Sequence, residues 1–365
     1  MLLTTLFFAA GLTVLNSADQ LPAGQDEGRE LYGAACAACH GPDGRGQPRH
    51  TVGFETPLPD FTDCGFATPE PDVDWMAIVH SGGPVRAFDR RMPAFGEALS
   101  EQQILQTIAF VRRFCDGDAW PRGELNLPRA LVTEKAFPEN EAVLSTVITA
   151  GELAAVEYEL LYERRLGARA QFEIAVPIAQ KQDATGGWQS GLGDVAFAFK
   201  QALFHSLDAG TIVSAAAEIV LPSGKENQGL GRGATMFEPF LAIGQLLPSD
   251  GFLQFQGGVG IPWAAGDHSS EAFWRTAVGK SFTEGRFGRS WAPMLEVVGA
   301  KELEPDQRVQ WDLVPQVQVT LSKRQHIMAN LGVRVPVSDR REREVEVLAY
   351  LLWDWFDGGL FDGWR

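Results

Sequence analysis

Several features are scarce in this sequence, and each scarcity argues against a class of protein. Beyond residues 2–15 no stretch is long and apolar enough to cross a membrane as a helix. No pattern resembles a hydrolytic triad, a phosphate-binding loop or HExxH. Basic residues number 31 against 47 acidic ones, and this net charge of -16 argues against a nucleic-acid partner. Common hydrolases, nucleotide-binding enzymes and nucleic-acid-binding proteins are therefore not indicated.

Cysteine is scarce as well, with four residues, and two of them belong to the stretch C-A-A-C-H at residues 36–40. In a C-x-x-C-H pattern two thiols bond covalently to haem while the adjacent imidazole ligates its iron. A redox-active C-x-x-C pair or half of a zinc site would need partners, and Cys64 and Cys115 form no second C-x-x-C. We therefore predict one covalent haem c, attached through Cys36 and Cys39 and ligated by His40.

Two amphipathic segments flank this motif and predict a helix pair that holds the haem. The segment from Gln25 to Ala38 has apolar residues at helical spacing, and Gly28 leaves a notch where another helix can cross closely. The second segment starts at Ser100, which has Gln103 in capping-box spacing, and it ends near Cys115.

The sixth iron ligand should come from a loop between these helices. The stretch R-M-P-A-F-G at residues 91–96 offers the thioether of Met92 on a turn stiffened by proline. His50 and His80 are the alternative ligands, and ligation by two histidines would lower the reduction potential.

This combination of motifs resembles the monohaem class I cytochrome c family over roughly residues 28–114. The resemblance implies an all-α domain in which His40 and Met92 are the axial ligands. It also implies that the carbonyl of Pro42 accepts the other N-H of the proximal imidazole. Such a haem has no open iron site, so it carries electrons and does not readily bind substrate.

The remaining cysteines, Cys64 and Cys115, are predicted to form a disulfide, with two buried free thiols as the alternative. Haem c and lasting disulfides both belong to an oxidising compartment. Residues 1–18 fit an export signal peptide, with an apolar stretch and small residues at 16–18, although no Lys or Arg precedes Arg29. An uncleaved anchor or a misassigned start is the alternative.

The chain is too long for a haem domain alone. We assign residues 25–118 to the cytochrome domain, 119–141 to a linker containing Pro121, Pro128 and Pro138, and 142–365 to a second domain.

Beyond residue 140 the periodicity changes from helical to strict alternation, which indicates strands. About twelve strands start near residues 143, 153, 168, 191, 210, 235, 251, 271, 289, 308, 325 and 344. An even number of long strands, each with one apolar face, predicts an antiparallel β-barrel that spans a membrane. Aromatic residues toward strand ends would form interfacial girdles, namely Tyr158, Trp274, Trp291, Trp311, Trp353 and Trp355.

Alternation alone leaves a soluble β-sandwich or lipocalin-like barrel open, in which the apolar face would point inward. Pro239, Pro293 and Pro315 stand against the membrane barrel unless bulges accommodate them. In a membrane barrel the charged face would line the lumen and restrict passage, with Glu157, Glu159, Glu163, Arg164, Arg165 and Glu173 as its members. His205, His268 and His326 are isolated and are predicted to be lumen or loop residues.

The second domain resembles the outer-membrane barrels of the phenol-degradation porin group, through G-L-G-D-V at residues 191–195 and L-P-S-G at 221–224. Together the two halves are similar to fused cytochrome-porin proteins of the outer membrane, some of which oxidise iron outside the cell. A barrel of about twelve strands is too narrow to enclose the haem domain, so we expect that domain at or below the barrel mouth, in the periplasm.

Two function classes remain open at this stage. The first is an electron carrier at the outer membrane, which would contact membrane lipid and a periplasmic redox partner. That partner would be basic, because residues 25–120 contain 15 acidic residues against 8 arginines and no lysine. The second class is a channel or transporter with the cytochrome as redox sensor or docking module. Enzymatic activity is not expected, and a metal-ion oxidase is the exception to consider.

Overall fold

The computed structural model describes residues 25–53, 58–115, 117–151, 154–263, 268–340 and 343–355. It consists of a small helical region followed by a closed antiparallel β-barrel. The predicted signal peptide at residues 1–18 lies outside the described residues. No helix in the described ranges combines the length and apolar character needed to cross a bilayer.

The described part of the N-terminal region contains six α-helices: α1 Gln25–Ala35, α2 Ala37–His40, α3 Arg49–Val52, α4 Cys64–Ala67, α5 Asp72–Ser81 and α6 Glu101–Arg112. Helices α1 and α6 cross at Gly28, where a Cβ atom would overlap with the carbonyl of Gln106. Ser100 and Gln103 form the predicted capping box at the start of α6. Tyr32 packs between Phe110 and Phe114, each with its ring centroid 5.3 Å away. The predicted helix pair is therefore confirmed, with the notch at Gly28 as its contact point.

Fourteen strands lie in the described residues of the barrel: β1 Glu141–Thr149, β2 Ala155–Leu166, β3 Ala170–Gln182, β4 Trp188–Leu192, β5 Ala196–Ser206, β6 Thr211–Val220, β7 Met236–Leu247, β8 Gly251–Pro262, β9 Glu271–Lys280, β10 Phe282–Thr283, β11 Ser290–Glu302, β12 Gln310–Thr320, β13 Ile327–Pro336 and β14 Glu346–Asp354. Neighbours along the chain pair antiparallel, β14 pairs with β1, and β9 pairs with β11. Strand β4 extends the pairing of β3 beyond β5, and β10 is a short hairpin arm. Twelve strands thus close the barrel, as predicted.

Side chains on the strands alternate between an apolar outer face and a polar inner face. Every one of the twelve wall strands exposes large apolar side chains, for example Leu160, Phe199, Leu241, Val317 and Leu331. The inward positions are buried and polar, among them Gln171, Lys200, Gln254, Glu296, Gln316 and Asn330. A soluble barrel would have its apolar face inside and its polar face outside, so the soluble alternative is wrong. An apolar outer face and a polar inner face are the arrangement of a membrane-spanning barrel.

Two side chains of the barrel wall differ from the sequence-based expectation. Arg164 is exposed on the outer face, between the buried Glu163 and Arg165, so it is not part of the lumen. Alternation requires this, because neighbouring residues of a strand point to opposite faces. Trp355 follows the end of β14 and is only 6% exposed, stacked on Tyr162. It therefore does not lie on an exposed outer face.

Bulges were the way in which a membrane barrel could accommodate the three strand prolines, but the register continues without a shift at each of them. Pro239 and Pro315 lie where the pairing to β8 and β13 skips two residues, and Pro293 precedes the first residue paired with β9. Because proline has no N-H to donate, each one occupies a position where one ladder is interrupted or ends. The register shift that the structure does show lies in β5, between Ala202 and Phe204.

The segment between the two domains does not form an exposed linker. After the short 3₁₀ turn Gly123–Leu125 the chain enters the barrel, reaches mid-height near residues 132–133, and returns to the mouth at the start of β1. Leu125, Lys135, Phe137 and Glu139 are at most 4% exposed. We call residues 123–140 the luminal loop. It occupies the half of the lumen that faces the haem domain.

The helical region caps the barrel mouth where the luminal loop enters. Glu70 pairs with His326 in the β12–β13 turn at 2.8 Å, and Arg86 donates to the carbonyl of Phe287 at 2.8 Å. Ala119 accepts a hydrogen bond from Arg169 in the β2–β3 turn. All three barrel residues lie in turns at the same end, so the domain is placed at the mouth.

Candidate functional site

The C-x-x-C-H motif forms one helical turn directly after α1, and this turn includes α2. The amides of Cys39 and His40 both donate to the carbonyl of Cys36, at 3.1 and 2.9 Å. Both thiols are unbonded and half-buried. Gly41 then leaves the helix with φ of 76°, a left-handed conformation that favours glycine. The turn therefore brings two thiols and one imidazole together.

The imidazole of His40 is held by aromatic contacts. Its ring stacks on Phe61 with centroids 5.1 Å apart, and Phe61 contacts Trp75 at 5.4 Å. Burial lowers the pKa of His40 to about 4, so the ring is neutral at neutral pH, which is the state that ligates iron. Its Nδ1 is buried and has no hydrogen-bond partner among the described residues, so the predicted contact with Pro42 is not formed here. That contact stays a prediction for the haem-bound protein.

The thiols do not have the electrostatics of a redox-active pair. Burial, together with Cys39, raises the pKa of Cys36 to about 11. A reactive C-x-x-C needs a lowered thiol pKa. In the described part of the chain, a group of three or more possible metal ligands occurs at Glu134, Glu163 and Glu173 inside the barrel, and none is found around residue 36. The redox and zinc interpretations of the motif gain no support.

The loop that contains Met92 packs against the glycines that follow α5. The amide of Gly83 donates to the carbonyl of Met92 at 3.1 Å, and a Cβ at Gly82 would lie 3.0 Å from the same oxygen. Larger residues at these two positions would push the loop away from α5. Met92 is half-buried.

The rival ligands have other surroundings. The ring centroid of His80 lies 5.3 Å from that of Phe287 in the barrel, and Gly96 packs against the His80 ring, where a Cβ atom would overlap with it. His50 is exposed on α3. His80 thus belongs to the contact between the two domains, and Met92 remains our choice of sixth ligand.

These residues fit haem c in their donor chemistry. Two unbonded thiols one helical turn apart can form two thioethers, and the neutral imidazole that follows can ligate iron. The group, once bound, would supply one-electron redox chemistry. Cys36 and Cys39 would anchor the group, His40 and Met92 would ligate its iron, and the ring of Phe61 lies stacked on the imidazole of His40.

Cys64 and Cys115 lie at disulfide geometry, with Cα atoms 5.3 Å apart. The pair connects the start of α4 to the end of the helical region. Arg112 reinforces the same connection, since it donates to carbonyls of Ala67 and Glu70 and pairs with Asp72 at 2.8 Å.

A second polar centre lies inside the barrel, around the luminal loop. Arg129 donates to Glu141 at 2.6 Å and to Glu163 at 3.0 Å, and all three are at most 7% exposed. Lys135 pairs with Glu139 and Glu141. On the barrel wall, Lys200 pairs with Glu173 at 3.3 Å, and Gln171 bridges Glu163 and Glu173. In the lumen, basic side chains of the loop and the wall are therefore paired with glutamates of the loop and the wall, so that their charges compensate.

The tip of the luminal loop is held at mid-barrel. Glu296 accepts from the amides of Val132 and Thr133 at 3.0 and 2.7 Å, and Arg275 donates to the carbonyl of Val132. The carbonyl of Arg129 accepts from Tyr350 and Asn330. The sequence predicts only a linker at residues 119–141, because Pro121, Pro128 and Pro138 interrupt any regular element.

His326 is not isolated, contrary to the sequence-based expectation. Its Nε2 lies 2.8 Å from Glu70 and its Nδ1 lies 3.3 Å from Asp354. These carboxylates come from the haem domain and from the end of β14. The contact was hidden from the sequence because the three residues are far apart along the chain.

The two porin-like motifs hold each other together at the opposite barrel end. Ser223 donates to the carbonyl of Gly193 at 2.8 Å and accepts from Val195 at 2.9 Å. Asp194 accepts from the amides of Gly224 and Arg232. Their short, Gly-rich sequences thus encode one loop contact.

Comparison with solved structures gives barrels of low similarity. An outer-membrane channel from Pseudomonas putida F1 is 12% identical, with a TM-score of 0.48, over 63% of this chain and 100% of that one. The NanC porin is 10% identical, with a TM-score of 0.41, over 59% and 99% of the two chains. The KdgM porin is 8% identical, with a TM-score of 0.37, over 59% and 99%. No curated protein matches the chain.

Comparison with protein families identifies both halves of the chain. Residues 23–111 match the family described as cytochrome C oxidase, cbb3-type, subunit III, and this range includes the C-x-x-C-H turn. Residues 146–345, more than half of the chain, match the family described as putative MetA-pathway of phenol degradation. The chain therefore belongs to this second family of barrels, and it carries a cytochrome domain in front of the barrel.

Proposed function

We propose that this protein is an outer-membrane electron carrier, with one covalent haem c at the periplasmic mouth of its barrel. Cys36 and Cys39 anchor the haem, and His40 and Met92 ligate its iron. The observation that carries the proposal is the helical turn at residues 36–40, with two unbonded thiols and a stacked neutral imidazole, in the domain that caps the barrel mouth. Ligation by histidine and methionine favours a high reduction potential and single-electron transfer.

The apolar outer face of the barrel supports insertion in a membrane. Exposed apolar side chains on every wall strand would be costly in water, and strands of this length match the hydrocarbon thickness. Aromatic residues lie near both strand ends, Tyr158, Trp274 and Trp311 at one end and Trp291 and Trp353 at the other. Such girdles are typical of barrels in the outer membrane.

Turn lengths support a periplasmic haem domain. At the mouth that the domain caps, β2–β3, β5–β6 and β7–β8 are joined by short turns, at residues 167–169, 207–210 and 248–250. At the other end, residues 221–235 form a long connection between β6 and β7. Outer-membrane barrels have short periplasmic turns and long outer loops. The geometry of Cys64 and Cys115 also supports an oxidising compartment.

The electron partner is proposed to be a basic periplasmic protein. The haem domain has a surplus of acidic residues and no lysine, so a basic surface would be attracted at long range. Association should weaken as ionic strength rises, since exposed charges are screened.

Membrane fractionation of the full chain, made in a host that matures cytochrome c, tests this function. We expect haem stain that persists after denaturation in the outer-membrane fraction, and a ferric spectrum with a methionine-iron charge-transfer band. Met92→Ala should abolish that band and lower the potential, while His50→Ala should keep both. Purified protein without covalent haem, or haem protein found only in the soluble fraction, would refute the proposal.

A second function, a gated channel, is favoured by the luminal loop. The lumen is polar, as in conducting barrels, and it is closed by a segment of the same chain that is held by side-chain contacts. A cavity of about 480 Å³ remains between the haem domain, the loop and the wall, so solutes could approach the loop from the mouth. The wild-type protein should conduct poorly in planar bilayers, and the double variant Arg129→Gln, Glu296→Gln should show open steps. Equal and low conductance of both proteins would refute the channel function, and the barrel would then serve only to anchor the protein in the membrane.

A further inference from the structure

The barrel reaches into the haem domain at the segment that presents Met92. The hairpin between β9 and β11, residues 281–289, carries Phe287, which is half-buried. Its carbonyl accepts from Arg86 at 2.8 Å, and its ring packs against His80 at 5.3 Å. These two residues lie on both sides of Gly82 and Gly83, the glycines that contact the Met92 loop.

The side chain of Arg86 is buried, and it is bonded both to the barrel and to α5. Arg86 is 4% exposed and pairs with Asp74 of α5 at 2.7 Å. It ends the 3₁₀ turn Gly83–Arg86, whose first amide donates to the carbonyl of Met92. A carbonyl of the barrel backbone thus accepts a hydrogen bond from the last residue of this turn, and the first residue of the same turn is hydrogen-bonded to Met92.

The contact with His80 fixes the other end of the same loop. The carbonyl of His80 accepts from the amide of Gly96, and the carbonyl of Val79 accepts from Phe95. Gly96 lies against the ring of His80, where any side chain would overlap. Phe287 therefore contacts the residue against which residues 95–96, the end of the M-P-A-F-G stretch, are packed and hydrogen-bonded.

Two further contacts join barrel turns to the helical region near this loop. Arg286 pairs with Glu101 at 2.5 Å, and its guanidinium lies 5.1 Å from the ring centroid of Phe287. From the neighbouring turn, Arg324 lies 4.4 Å from the ring centroid of Phe88. Two barrel turns thus contact Phe88 and the residues His80 and Arg86, which hold the loop that carries Met92.

We infer that Phe287 of the barrel is a positioning residue for the axial ligand Met92, so that the state of the barrel sets how firmly the thioether stays on the haem iron. This inference rests on the proposed ligation by His40 and Met92. Its physical basis is that a ligand loop held at both ends loses less conformational entropy on ligation than a free one. Changes in the barrel mouth would then change the reduction potential, since loss of methionine lowers it.

The test compares Phe287→Ala with Phe282→Ala, an exposed residue of the same hairpin. The full-length ferric protein is titrated with imidazole, which competes with methionine for iron. We expect Phe287→Ala to bind imidazole roughly tenfold more tightly and to lose the methionine-iron band at lower pH, by about one unit. Phe282→Ala should match the wild type in both measurements. Arg286→Gln, which keeps the phenylalanine and removes the pair with Glu101, should give a smaller shift in the same direction.

The outcomes separate this inference from the proposed function. A wild type without a methionine-iron band would refute the ligation by Met92. A wild type with that band, and a Phe287→Ala variant with unchanged imidazole affinity and unchanged potential, would refute the positioning role alone. Equal shifts in Phe287→Ala and Phe282→Ala would also refute it, because they would report a general loosening of the hairpin.

Discussion

The carboxylate of Glu296 on β11 accepts hydrogen bonds from both the amide and the hydroxyl of Thr133, at 2.7 and 2.5 Å. Glu296 is fully buried, and it also accepts from the amide of Val132 and from Gln316. A buried carboxylate is tolerated only when its oxygens are satisfied. The luminal loop and the barrel wall therefore depend on each other for their hydrogen bonds.

Replacing Glu296 by Leu should release the tip of the luminal loop. The buried donors of Val132, Thr133 and Gln316 lose their common acceptor, at a cost of about 3 kcal/mol. Urea unfolding in detergent, combined with limited proteolysis of residues 123–140, measures the effect. Glu302→Gln, at the exposed end of the same strand, is the control and should leave both measurements unchanged. A loop that stays protected in Glu296→Leu would contradict the assignment of Glu296 as its anchor.

Replacing Gly28 by Ala should separate α1 from α6. The added methyl would overlap with the backbone of Gln106, which cannot move without breaking α6, so we expect a loss of about 2 kcal/mol. Thermal unfolding followed by helical circular dichroism gives the change. Gly33→Ala lies on the same helix with nothing within 4 Å of the new atom, and it should be neutral or slightly stabilising. Similar losses in both variants would show that the crossing at Gly28 is not tight.

Replacing Cys64 and Cys115 by Ser should lower the stability of the helical region. A crosslink across a separation of 51 residues stabilises by about 3 to 4 kcal/mol in the chain-entropy model. Urea unfolding of the wild type with and without reductant should show the same difference, while the double variant should not respond to reductant. Thiols at both positions that react in the denatured, unreduced wild type would contradict the bridge.

The helical region should lose stability as the pH rises from about 4 to about 6. Burial, together with Glu70, raises the pKa of Asp74 to about 6, against the opposing effect of Arg86. The folded state then holds the proton more tightly than the unfolded chain, so the free energy of unfolding decreases across this interval, by up to about 3 kcal/mol, and this group contributes no slope at higher pH. Tryptophan fluorescence during thermal unfolding at several pH values measures it.

The variant Asp74→Asn should flatten this pH dependence between 4 and 6. Glu97→Gln, at an exposed position of the same region, should keep it. An unchanged slope in Asp74→Asn would assign the pH dependence to another group.

Replacing Leu331 by Arg tests the lipid contact of the barrel. Leu331 is 57% exposed in the middle of β13, and an arginine at the bilayer midplane costs about 2 to 4 kcal/mol in barrels of this kind. Folding titrations in lipid vesicles give the value. Leu303→Arg is equally exposed but lies in a loop beyond β11, and it should cost about 1 kcal/mol or less. Equal, small effects at both positions would mean that β13 faces water.

Local patterns predicted most of the fold. Strand alternation gave the twelve wall strands, because residues on one face of a strand share one environment. The capping box and the notch at Gly28 were also predicted, since each depends on residues within one turn of helix or on the absence of a side chain. Haem attachment at residues 36–40 stays a prediction. Arg164 was misassigned only because its charge was given more weight than its place in the alternation.

The sequence by itself determined the elements of this protein: a C-x-x-C-H motif, a helix pair and twelve strands with apolar and polar faces. Only the tertiary structure decided that residues 123–140 fill the lumen, that His326 joins Glu70 and Asp354, and that Phe287 reaches the Met92 loop. The luminal loop has no periodicity of its own, and its conformation is fixed by Gln256, Glu296, Gln316 and Asn330, more than a hundred residues away. Such partners meet only when the barrel closes, because closure brings the inner faces of all strands around one space.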